Sequence, residues 1–246
     1  MAFCAATLTG YVLLDWAKVV PERHYQWLPW LPLVALVPAA LSLREKTHIV
    51  ERLVAFLPIA AATAFLIVPG WERLDDVRWT YLFAVGGCAF VQCAAWDWLA
   101  ARTKPLMFSV LACLALGGTA GLLIPFFVLK YGEMLLCATG ATIGVGLLSV
   151  RSDNSERARA IAPLIAVVLT AGTFIGFVEP DPAESAVLMP LLVPVIALPL
   201  SIAGGERYGR VFAVVQICLI LALLGGTGWW LQSQQEEQSD EYGEYY

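Results

Sequence analysis

The sequence predicts an all-α fold, a polytopic α-helical integral membrane protein, on three observations. Apolar residues make up 59% of the chain and charged residues only 14%, against roughly 45–50% and about 25% in ordinary globular domains. The apolar residues gather into long uncharged runs, such as Pro105 to Leu129 with 25 residues and Met134 to Val150 with 17. At ~1.5 Å of rise per residue, runs of this length cross or nearly cross a hydrocarbon core of ~30 Å. Between the runs lie short polar turns rich in proline and glycine, so no stretch remains from which a soluble domain could be built.

About nine spans are expected, or eight if the first only lies at the interface. Ala2 to Val20 is apolar as far as Leu14 and then meets Asp15, Trp16 and Lys18. It lacks the basic start and small-residue cleavage site of a signal peptide, so it reads as an uncleaved span. Asp15 and Lys18, three residues apart, would pair at its end. Leu28 to Leu43 carries Pro29, Pro32 and Pro38 and should be kinked or broken. Leu53 to Pro69 and Trp79 to Ala101 form the third and fourth spans. Pro105 to Leu129 and Met134 to Val150 then make a hairpin around the turn Lys130-Tyr131-Gly132-Glu133, on which the rest is expected to be organised. The seventh span has Pro163 in its first turn and ends at Glu179-Pro180-Asp181-Pro182. Ala186 to Ala203, with three prolines, is the eighth, and Val211 to Leu231 is the ninth.

Residues 1–231 therefore read as one transmembrane domain, followed at 232–246 by an acidic tail expected to be disordered. The net charge of −5 is a property of that tail, which holds Glu236, Glu237, Asp240, Glu241 and Glu244. No basic patch interleaves with aromatic residues, which argues against nucleic-acid binding. The partners expected are the lipid bilayer and another membrane protein. Gly118, Gly172 and Gly226, each followed by threonine, are spaced 54 residues apart. This suits parallel hairpin repeats, although hairpins of equal length would also bring common membrane residues into such register.

Orientation follows from Lys and Arg, since acids contribute little to it. Of the fifteen basic residues, ten fall in one alternating set of loops: Arg44, Lys46, Arg52; Arg102, Lys104; Arg151, Arg157, Arg159; and Arg207, Arg210. The other set holds five. The first set should face the cytoplasm, putting the N-terminus inside, the C-terminal tail on the exported side, and the protein in the cell (inner) membrane.

Candidate chemistry is sparse. No charge lies in the middle of any predicted span, and mid-membrane ionisable residues are the usual mark of proton relays and ion coupling. The six cysteines fall inside apolar runs without metal-ligand spacing, and His24 and His48 stand alone in loops. No catalytic residue, cofactor or metal ligand is therefore expected. Asp97, between Trp96 and Trp98, is the one weak functional candidate; its plainer reading is an interfacial acid paired with Arg102 or Lys104 and flanked by belt tryptophans. Three glycine pairs, Gly117/Gly121, Gly140/Gly144 and Gly172/Gly176, would let neighbouring backbones approach closely. A polar path could run along Gln92, Thr119, Thr139, Thr142, Thr173 and Gln216; tight helix packing accounts for the same residues. The function expected is that of a structural, scaffold or accessory membrane component without its own chemistry, the second reading being a small uncoupled transporter or channel for a neutral or weakly polar solute.

Overall fold

The computed structural model describes residues 2–13, 24–42, 48–68, 70, 75–126, 129–149, 155–178, 185–203 and 205–243. Every regular element among them is helical. In chain order these are α1 (Ala2–Leu13), a 3₁₀ turn (His24–Trp27), α2 (Leu31–Val34), α3 (Leu36–Ser42), α4 (Ile49–Ile67), α5 (Arg78–Arg102), α6 (Pro105–Phe126) and α7 (Leu129–Ser149). There follow α8 (Ser155–Val178), a 3₁₀ segment (Ser185–Leu192), α9 (Val193–Ala203) and α10 (Gly205–Gly243). Seven of the described helical segments are long and apolar enough to cross a membrane, and the 3₁₀ segment with α9 counts as one of them.

The two predicted spans that are not among these seven lie at the N-terminus. α1 covers the first 12 described residues of the predicted first span, and residues 14–20 of that span lie outside the described residues. The predicted second span is broken, as its prolines imply, into α2 and α3 with Ala35 between them. α1 packs against α7, and α2 and α3 both pack against α8. The Asp15 and Lys18 pairing falls outside the described residues. α10 continues to Gly243, whereas the sequence reading starts a disordered tail at Gln232.

The centre of the bundle is α8 and not the predicted hairpin. In its most apolar 18-residue window 89% of the residues are buried, against 17% for α10. A helix that is apolar on all sides must find cover on all sides, from protein or from lipid. Ala162, Ile165, Ala166, Val167, Leu169 and Ala171 are fully enclosed by protein. α8 also begins earlier than expected, so Pro163 stands in its interior. There the missing N–H removes the helical donor for the Arg159 carbonyl.

α5 lies antiparallel to α8. Near one end Tyr81 stacks edge-on against Phe174 and Phe177, with ring centroids 5.7 and 6.3 Å away. Near the other end Asp97 meets Arg159. α6 and α7 do form a hairpin, but Lys130 to Glu133 is the first turn of α7 and not the connection. α6 ends just after Pro125, which cannot donate to the carbonyl of residue 121.

Candidate functional site

Asp97 lies near the C-terminus of α5, Arg52 in the first turn of α4 and Arg159 near the start of α8. The fold brings all three together. Arg52 donates to Asp97 Oδ1 at 2.8 Å. Arg159 donates through Nε to Oδ1 at 3.3 Å and through a terminal nitrogen to Oδ2 at 3.1 Å. The side chains of Arg52 and Asp97 are only 6% and 10% exposed, and that of Arg159 is 29% exposed. Each charge sits toward the helix end whose dipole has its own sign, so the helices do not stabilise it. The charges stabilise one another instead, and a carboxylate held by two guanidiniums fixes three helices in one register.

This corrects the pairing expected from sequence. Arg102, five residues on, is turned about 140° around the helix from Asp97, and such pairs do not face each other. It stacks over the Trp98 ring at 5.8 Å. Lys104 lies beyond the end of α5 and is exposed. Nor do both tryptophans belong to a lipid belt. Trp98 is half exposed, but Trp96 is fully buried with Phe108 edge-on at 5.7 Å. Arg52 and Arg159 were not singled out in the sequence, although both belong to the basic set at the same predicted face as Asp97.

The two glutamines of the suggested polar path are buried, and both serve the proline-broken helix. Gln92 Nε2 donates to the Leu191 carbonyl at 2.7 Å. In a 3₁₀ helix that carbonyl would be met by the N–H of residue 194, and residue 194 is proline. Gln92 thus supplies the donor that Pro194 lacks, while its Oε1 accepts from Trp96 Nε1 at 3.1 Å. From the other side Gln216 Nε2 donates to the Ala197 carbonyl and to Ser201 Oγ, each at 2.7 Å.

The four threonines turn back on their own helices. Thr119, Thr139, Thr142 and Thr173 donate to the carbonyls of Ala115, Leu135, Ala138 and Leu169 at 2.7 to 2.9 Å. Each of the six path residues therefore makes a hydrogen bond within the bundle.

The glycine pairs divide. A Cβ added at Gly117 would touch Thr139 at 3.5 Å, one at Gly172 would lie 3.0 Å from Leu135, and one at Gly176 would collide with Leu123. At Gly121, Gly140 and Gly144 an added Cβ would meet nothing. The close approach of α6 and α7 depends instead on Gly146, where a Cβ would lie 2.8 Å from that of Ser109, and on Gly132, which packs on Ile124. Gly118 and Gly172, related by the 54-residue spacing, face Leu224 of α10 and Leu135 of α7. Among the described residues no group of three His, Cys, Asp or Glu side chains could hold a metal ion.

No protein-family model, curated protein or solved structure matches this chain. The functional reading rests on the geometry.

Proposed function

We propose that this chain is an accessory or scaffold component of a membrane, a helical bundle that holds or positions a partner membrane protein and carries out no chemistry of its own. The observation that carries the reading is where the interior polar groups are spent. Asp97 is held by two arginines, Gln92 and Gln216 donate to carbonyls of the 3₁₀ segment and α9, and the four path threonines bond their own backbones. A solute path would need donors and acceptors left to face the solute.

The cell membrane, with the N-terminus in the cytoplasm and the C-terminus exported, is the proposed location. The basic residues support its direction, and the odd number of candidate spans supports termini on opposite sides. Seven spans, like nine, put the two termini on opposite sides. The Asp97 cluster then belongs to the cytoplasmic end.

Gentle detergent extraction at native expression, followed by native mass spectrometry, tests the function. The expected result is a complex with one partner membrane protein at fixed stoichiometry. Recovery of the chain alone, together with a saturable liposome flux of a neutral solute that Gln92→Leu abolishes, would replace the accessory reading by the transporter one.

A further inference from the structure

Beside the Gly146 contact, the hairpin of α6 and α7 leaves a groove of about 290 Å³ on its outer surface. Its volume is near the lower end of small-molecule sites, about 300 Å³. Leu106, Val110 and Leu114 of α6 form one wall, and Leu147 belongs to the other. The floor is Ser109 against Gly146. Ser109 has already given its hydroxyl proton to the Pro105 carbonyl at 3.0 Å, so the floor offers no donor to a polar ligand. Leu106 and Leu147 are 50% and 67% exposed. The groove is therefore apolar and open on the side that faces lipid if the hairpin spans a bilayer.

Its mouth has a different character. Leu106 follows the exposed Lys104 by two residues, and Arg102 ends α5 two residues before that lysine. In sequence Arg151 follows Leu147 by four residues. The groove thus begins at the Lys104 end of α6, where a chain entering from the bilayer would carry its headgroup level with that cation. Basic recesses between transmembrane helices on the cytoplasmic side recognise anionic lipid headgroups by this charge complementarity.

We infer that the α6–α7 groove is a binding site for one anionic phospholipid of the inner leaflet, with an acyl chain along Leu106, Val110 and Leu114 and the phosphate end beside Lys104. The inference rests on the membrane and orientation readings proposed above but not on the accessory one.

The full chain is purified in mild detergent and offered phosphatidylglycerol or phosphatidylcholine with identical acyl chains, and bound lipid is counted by native mass spectrometry. One phosphatidylglycerol should be retained in preference to phosphatidylcholine. Lys104→Gln should cut that preference about fivefold, the share of one cation near the surface, and should leave phosphatidylcholine retention unchanged. Val110→Trp, which fills the groove, should remove retention of both lipids. Arg78→Gln, an exposed cation at the other end of α5, should change nothing. Equal retention of the two lipids, or an equal loss in the Arg78 and Lys104 variants, overturns the site. A chain that stays in solution without detergent overturns the membrane reading itself, so the two failures are distinguishable.

Discussion

Along α7, Ala138, Thr142 and Gly146 recur every fourth residue and are buried, whereas Leu136, Gly140, Gly144 and Leu148 recur at the same interval and are exposed. The difference reverses what the glycine spacing alone suggests. Gly144→Leu should change stability by no more than about 0.5 kcal/mol, as at other surface positions. Gly146→Leu drives a side chain into Ser109 and should cost about 2 kcal/mol through overpacking. Thermal unfolding of the two variants in detergent checks this, and equal melting temperatures would contradict it. The glycines themselves were legible in the sequence; the face they present was not. In a soluble helix the polar side marks the outside, but a helix that is apolar all round gives no such mark. Thr142 was the available clue, since its buried stripe continues to Gly146.

At the scale of elements, α5 ties the bundle together. Gln92 reaches the broken helix, Trp96 fills the gap against α6, and Asp97 holds α4 and α8. Asp97→Asn would leave two guanidiniums around a neutral amide and should cost about 3 kcal/mol, as for other broken buried pairs. Gln92→Leu removes one interhelical hydrogen bond and should cost about 1 kcal/mol. Thermal unfolding should rank Asp97→Asn below Gln92→Leu, and the opposite order would remove the ion cluster from its place as the main tie. The spans themselves were largely legible: Trp79 to Ala101 was expected and α5 is Arg78–Arg102. Proline predicted the break between α2 and α3 but misled at Pro163, because burial of the residues around it holds α8 helical through the gap. The partners of Asp97 come from residues 45 and 62 positions away, a separation that local helix spacing does not encode.

At the scale of the whole molecule, composition and run length were enough for a helical chain with several apolar helices, because both express the same demand that backbone groups be satisfied without water. At the N-terminus the described part of the first predicted span is α1, and the second is divided into α2 and α3. The bundle centre was misplaced, since α8 differs from its neighbours in what surrounds it more than in its own residues. Direction across the membrane is the claim on which the placement of the Asp97 cluster and the lipid groove both depend. The most direct measurement uses a chain whose six native cysteines are replaced and which carries Ser239→Cys. Intact cells are treated with a membrane-impermeant thiol reagent, and the predicted result is labelling of the introduced thiol before lysis. Labelling only after the cells are broken would place the C-terminus inside and contradict the account.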